Sequence, residues 1–175
     1  MENILDRLKR RLNRAAFLIV TSTLLASPAA AVDCYDEEWM AFDGWEQWEA
    51  ITDRPVISYA HGENWVGIFA NELAAETYKA TAAPFEECSA IVKVIYTDME
   101  GSAVTRMTVM VKMPAGYDPE HGDWWYADAD STGSIVKNRG RREECFSCHE
   151  VALETDYVFS DDVLETVREW TEWRE

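Results

Sequence analysis

Basic residues are scarce in this chain of 175: 16 Lys and Arg stand against 33 Asp and Glu, a formal net charge of −17. That sign excludes nucleic acid as a natural partner, because a phosphate backbone is held through an excess of Lys and Arg. Long hydrophobic runs are missing too. The apolar stretch from Ala15 to Ala26 holds 12 residues, short of the roughly 20 that span a bilayer. No internal repeat and no low-complexity linker divides the chain, so one domain is expected. Histidine is limited to His61, His121 and His149, and cysteine to Cys34, Cys88, Cys145 and Cys148.

Around these gaps the amino end is informative. Arg7, Lys9, Arg10, Arg11 and Arg14 precede the apolar stretch, and Ala29-Ala30-Ala31 follows it as a small-residue cleavage site. Residues 1–31 therefore read as a secretory signal peptide, with an uncleaved anchor as the weaker alternative. Cys34 invites a lipoprotein reading, but Val32-Asp33 before it does not make a lipobox. Cleavage after Ala31 leaves residues 32–175, 144 in all, enough for one domain with its own core. It removes five of the 16 basic and two of the 33 acidic residues, leaving 11 against 31 and a net charge of −20.

Near the carboxyl end, Cys145-Phe146-Ser147-Cys148-His149 reads C-x-x-C-H. Two thiols at that spacing can each add to a haem vinyl group, and the adjacent imidazole is then placed to bind the iron. The alternatives are a thioredoxin-like dithiol and half a zinc site. Zinc wants a second ligand pair, and Cys34, Cys88, His61 and His121 show no close pairing of their own. A thioredoxin-like site wants the motif to open a helix in a β-α-β unit, yet no apolar strand run directly precedes Cys145. One covalently attached haem c is the expected cofactor, with Cys145, Cys148 and His149 holding it. In an oxidising compartment Cys34 and Cys88 can form a disulfide, but their separation in space is not readable from sequence.

Between the ends, the chain alternates helix and strand signals. Trp39, Trp45 and Trp48 among acidic residues suit one face of a helix over 36–51, broken near Gly44. A short strand is expected from Trp65 to Ala70, then Asn71 as an N-cap for a helix through Ala74, Ala75 and Tyr78 that ends before Pro84. Ala90–Tyr96 and Val104–Met113 are the best strand candidates, joined by a turn over Asp98–Ser102. Trp124–Ala127 reads as another strand, and Asp128–Gly140 as a polar loop leading to the C-x-x-C-H. Ser160 is placed to cap a last helix, with Asp161 and Asp162 in its first turn and Val163, Leu164, Val167 and Trp170 along one side. The sum is an α+β domain, an antiparallel β-sheet flanked by helices.

The iron's sixth ligand is the next question. Only 26 residues follow His149, and none of them is Met, His, Cys or Lys. A sixth ligand would have to come from upstream, where Met99, Met107, Met110 and Met113 are available but read better as core. An open position suits binding or chemistry on small molecules, whereas a Met ligand suits a simple electron carrier. Lys93 adds to this. It sits in Ile91-Val92-Lys93-Val94-Ile95, where both strand faces are apolar, so its ammonium must snorkel, pair or be consumed in a bond.

These pieces, in order, resemble the cytochrome P-460 family, which includes the cytochromes c-prime-beta. The resemblance rests on His61-Gly62, Ile68-Phe69-Ala70-Asn71, Phe85, Ala90-Ile91-Val92-Lys93, Val111-Lys112 and Gly122-Asp123-Trp124, then the C-x-x-C-H and Thr155-Asp156-Tyr157-Val158-Phe159. It implies a haem packed against the antiparallel sheet, a homodimer, His149 as proximal ligand and an open distal side. In members that oxidise hydroxylamine, a lysine matched by Lys93 is bonded to the haem macrocycle, which makes Lys93 the candidate cross-link. Related lysines also occur without that bond.

The departures point the other way. Where the oxidising members resemble one another in a distal glutamate this chain has Thr108, and their distal arginine falls at Val66. Neither replacement accepts protons or holds a polar ligand well, so an apolar diatomic such as nitric oxide is favoured. Phe85 and Phe69 are candidates for the phenylalanines that cap the haem in the c-prime-beta branch, with plain core packing as the alternative. Glu86-Glu87-Cys88 replaces the family's Pro-x-Gly, which implies a different loop.

The expectation is a periplasmic mono-haem c-type cytochrome that binds or converts nitric oxide or hydroxylamine, as gas binder or hydroxylamine-oxidising enzyme. The alternative is a simple periplasmic electron carrier with Met-ligated haem. No membrane contact is expected after cleavage. The acidic surface suits a basic redox partner, though solubility or a saline habitat also accounts for it.

Overall fold

A computed structural model describes residues 32–38 and 40–172. The expected signal peptide and Trp39 lie outside these residues, as does the side chain of Trp170. The fold is α+β. Seven strands form one antiparallel sheet: β1 (Glu49–Ala50), β2 (Val56–Ser58), β3 (Asn64–Ala70), β4 (Ala90–Tyr96), β5 (Val104–Lys112), β6 (Trp124–Asp130) and β7 (Val136–Gly140). The order is β1-β3-β4-β5-β6-β7, with β2 sharing the β3 edge with β1. Among the described residues the α-helices are α1 (Glu72–Lys79), α2 (Glu143–His149) and α3 (Ser160–Glu172).

The central strands follow their sequence closely. Val and Ile fill β4, and its two neighbours cover both of its edges, so the alternation places apolar side chains on both faces as expected of a fully buried strand. One face carries Val92, Val94, Met107, Val109, Val111 and Trp125, all at most 1 % exposed. The other carries Ile68, Ala70, Ile91, Trp124 and Tyr126, against which α1 buries Ala74, Ala75 and Tyr78. Helix α1 begins where expected: the Asn71 side-chain oxygen accepts from the Ala74 N–H at 3.1 Å and from the Ala90 N–H at 3.0 Å. One cap thus ties the helix start to β4.

Three expectations are corrected. Residues 36–51 do not form a broken helix; the segment is irregular apart from a 3-10 turn, Trp45–Gln47, and the strand β1. Its aromatics are pinned to the first sheet face, Trp45 edge-on to Phe69 (4.9 Å between centroids) and Trp48 edge-on to Phe42 (6.4 Å). These tertiary contacts outweigh the weak helix preference of Asp and Trp. The Phe42 N–H donates to the Gly133 carbonyl (2.8 Å), and a Cβ on Gly133 would come within 2.5 Å of that same Phe42 backbone, so the approach requires glycine.

Residues 128–140 are not all loop: β6 runs on to Asp130 and β7 returns as an edge strand, pairing Asp128 with Lys137 and Ala129 with Val136. Exposed Lys137, Asn138 and Arg139 give it no alternating apolar signal, the usual composition of a protected edge. Ser160 is the first residue of α3, not a side-chain cap. Its hydroxyl is buried without a hydrogen-bond partner, and the Phe159 carbonyl accepts the first helical bond from Val163.

Cys34 and Cys88 are joined, with Cα atoms 5.2 Å apart and a sequence separation of 54. The bridge fastens the amino-terminal segment to the turn that enters β4. By loop-closure entropy a ring of that size is worth about 4 kcal/mol.

Candidate functional site

The second sheet face is not filled throughout. Between it and α2 lies a cavity of about 300 Å³. Strand pairing determines what the sheet contributes: Ile68, Lys93, Thr108 and Asp128 form one row across β3 to β6, and Ile91, Met110 and Tyr126 form the next. All seven line the cavity. On the opposite wall, α2 presents Cys145, Cys148 and His149, with Phe159 and Val163 from the α3 end. The C-x-x-C-H thus opens onto the same space as Lys93 and Thr108, which are direct cross-strand partners.

His149 has a defined tautomer. Its Nδ1 lies 2.6 Å from the Tyr157 carbonyl oxygen. A carbonyl only accepts, so Nδ1 carries the proton and Nε2 keeps the lone pair that a metal needs. Burial lowers the imidazole's pKa, only partly opposed by the Tyr157 bond and reinforced by Lys93, which keeps the ring neutral. Phe159 stands edge-on to it at 5.2 Å and Tyr126 tilted at 5.5 Å between centroids, so the ring is held from both sides.

Lys93 does not escape at a sheet edge, since β4 is central. Its Nζ lies 3.3 Å from Nδ1 of His61, and Ser58 Oγ lies 3.1 Å from that same nitrogen. An ammonium only donates, so this nitrogen is the acceptor and His61 is neutral. Burial pushes the lysine down to about 8, slightly opposed by Cys148. Roughly a tenth of it is then uncharged at pH 7, far more than for a lysine in water. His61 is pushed down to about 4, first by burial and then by Lys93, His149 and Arg106.

At the cavity rim, Asp128 is held by Arg142 (3.1 Å) and Arg106 (3.9 Å). The Tyr126 hydroxyl has no hydrogen-bond partner although the residue is 3 % exposed. An orphaned hydroxyl on a cavity wall is what a missing polar-edged ligand would leave. Cys145 and Cys148 are not joined to each other. Among the described residues, no cluster of three or more His, Cys, Asp or Glu could hold a metal ion, so the thiols have no partners for a zinc site. Two thiols on adjacent turns, an imidazole with a free Nε2 and an apolar slot facing them fit a covalently held haem.

Not every expected residue reaches the cavity. Val66 points to the same side of the sheet but is buried with Val56 and Ile95 beyond the cavity wall. Phe85 packs edge-on against Trp124 (5.5 Å) in the second core. Phe69 faces the other side of the sheet, against Trp45. The aromatic side chains that do line the space are Tyr78, Tyr126 and Phe159. His61, Arg106, Tyr126, Asp128 and Arg142 were not expected as site residues. Alternation within β5 and β6 would have grouped Arg106 with Thr108 and Tyr126 with Asp128, but the register joining the two strands is not a property of either alone.

A family model described as Cytochrome P460 matches residues 42–160. That stretch, well over half of the chain, contains the whole sheet and the residues lining the cavity apart from Val163. A comparison with curated proteins finds no match.

Proposed function

The chain belongs to the cytochrome P460 family, and from that premise we propose an exported mono-haem c-type cytochrome that binds or converts small nitrogen species, nitric oxide and hydroxylamine. The observation that carries this reading is the shared cavity: Cys145, Cys148 and a His149 with free Nε2 on one wall, Lys93 and Thr108 on the other. Bound there, haem supplies an iron that takes a small ligand or exchanges an electron. The rest is the chain's own work. Cys145 and Cys148 tether the ring, and Tyr157 orients the proximal imidazole. Ile68, Ile91 and Met110 keep the slot dry.

Thr108, the pair Lys93–His61 and the unpaired Tyr126 hydroxyl are among the polar groups facing that slot, and Glu144, a carboxylate on its lining, is bound by Arg142. Asp128 is a carboxylate on the same row, but two guanidinium groups hold it. With no free carboxylate in the row, reversible binding of an apolar diatomic is favoured over proton-coupled oxidation. Lys93 speaks for turnover if its amine bonds to the macrocycle. The Cys34–Cys88 bridge supports export to an oxidising compartment, the periplasm. The acidic surface supports a basic redox partner, and the family supports a homodimer.

The test is the absorption spectrum of the purified ferrous protein, with and without Lys93→Ala. A red-shifted band abolished by the substitution identifies the cross-link and the enzyme. An ordinary spectrum in both, with reversible nitric oxide binding, identifies the gas binder. Colourless protein from a host that matures c-type cytochromes overturns both.

A second reading, the Met-ligated electron carrier, rests on Met110, which lines the cavity. Met107 and Met113 are buried on the opposite face, and Met99 is exposed.

A further inference from the structure

Three segments distant in the chain converge on one residue outside the cavity, Asp156. Lys112, at the end of β5, places its Nζ 2.6 and 2.7 Å from the two carboxylate oxygens. The Phe85 N–H donates to Oδ2 at 2.8 Å. Trp124, the first residue of β6, donates its indole N–H to the Asp156 carbonyl at 2.7 Å. The ion pair is almost closed to water, with side chains 12 % and 10 % exposed.

What these bonds hold is an unusual backbone. Asp156 and Tyr157 both have positive φ, 54° and 66°, a conformation that non-glycine residues keep only where surrounding contacts over-determine it. Tyr157 is fixed in its turn: its N–H donates to the Ala152 carbonyl (2.8 Å) and its hydroxyl to the Glu120 carbonyl (3.1 Å). Its ring lies where a Cβ on Gly122 would come within 2.5 Å, so only glycine at 122 admits it. The product of this double left-handed turn is one carbonyl aimed at Nδ1 of His149.

We propose that the Lys112–Asp156 ion pair is the positioning device for the proximal imidazole, acting through the strained Asp156–Tyr157 turn. Without the carboxylate's three hydrogen bonds, two from Lys112 and one from the Phe85 N–H, the turn relaxes toward ordinary negative φ, and the Tyr157 carbonyl swings off Nδ1. His149 then loses the partner that orients its ring and raises its ligand strength. Lys112 and Asp156 do not line the cavity, so neither touches a ligand held there. The inference rests on His149 being the iron ligand, as proposed above.

The experiment uses haem-loaded protein, comparing wild type with Lys112→Met, Asp156→Asn and, as the conservative control, Lys112→Arg. The readouts are the ferrous iron–histidine stretching band in resonance Raman spectra, the rate of His149 release on nitric oxide binding, and the unfolding midpoint. Lys112→Met and Asp156→Asn are expected to lower the band frequency and speed histidine release about tenfold, the lower end for an outer-shell partner. Lys112→Arg retains both wild-type values. An unchanged band and release rate in variants whose unfolding midpoint has dropped overturns the inference, because the pair is then only structural. Where either variant fails to fold, Trp124→Phe, which removes the indole N–H bond to the Asp156 carbonyl and part of the ring facing Lys112 and Phe85, carries the same comparison: a smaller shift in the same direction supports it and no shift overturns it. A wild-type protein that holds haem but shows no iron–histidine band is not five-coordinate through His149, which sinks the open-site reading above and this inference with it.

Discussion

The two faces of the sheet are built from the same strands and differ in purpose. The first face is closed by the amino-terminal segment, carries only apolar side chains in its central rows and is fastened by the disulfide. The second face carries the same alternation but interrupts it with Lys93, Arg106, Thr108 and Asp128 and leaves a cavity over them. A residue on the first face matters through packing; one on the second through what it presents to the space. The fold thus separates the source of its stability from the place of its chemistry by the thickness of one sheet, because successive side chains of a strand point to opposite faces.

The sharpest way to break the comparison is Trp125→Ala. Trp125 is fully buried on the first face, so the substitution is expected to cost about 3–5 kcal/mol in chemical denaturation. The spectrum of the molecules that remain folded should not change. A spectral change would mean that the faces are coupled. Next in size, Cys88→Ser removes the bridge and should lower stability by about 2–4 kcal/mol, with the haem ligands again unaffected.

On the second face the expected effects depend on pH. The unfolded chain takes up a proton on His61 near pH 6.5 and the folded chain only near 4. The stability tied to this group is therefore full above about pH 6.5 and is lost as pH falls toward 4. His61→Gln should flatten that loss by on the order of 1–3 kcal/mol, discounted for the open side of the cavity. Denaturation curves at pH 7 and pH 5 for both proteins check it; parallel pH dependence refutes it.

The smallest effect separates the two readings of Met110. As wall lining, Met110→Leu is volume-conserving and should cost under about 1.5 kcal/mol, with the visible spectrum intact. Loss of a sulfur-to-iron charge-transfer band would make it a ligand instead.

Much of this was legible beforehand. Strand β4 appears with the bounds its Val and Ile run predicts, and β5 ends one residue early. Asn71 caps α1 as its place before Glu72 and the alanines suggests. The spacing of the C-x-x-C-H points to a haem, and the family match agrees with that much. The misses share one cause. Trp45 and Trp48 suit a helical face by the spacing that sequence offers; their partners, Phe69 and Phe42, are set by which surface the segment happens to cover. Strand β7 has no apolar period and exists because β6 offers it an edge. Val66 and Phe85 rest on the family resemblance, and a matched position along a chain does not measure distance to a cavity.

What the amino-acid sequence determined by itself was local: which segments are strands, where α1 starts, and that two thiols and an imidazole lie one helical turn apart. Those properties arise among neighbours in the chain, through backbone sterics, side-chain alternation and capping. Only the tertiary structure decided that Lys93 faces Thr108, that His61 accepts from Lys93, and that Lys112 reaches Asp156 across 44 residues. Each of these depends on strand register and on the path of a turn, which are settled by burying both faces of the sheet at once and by no single segment.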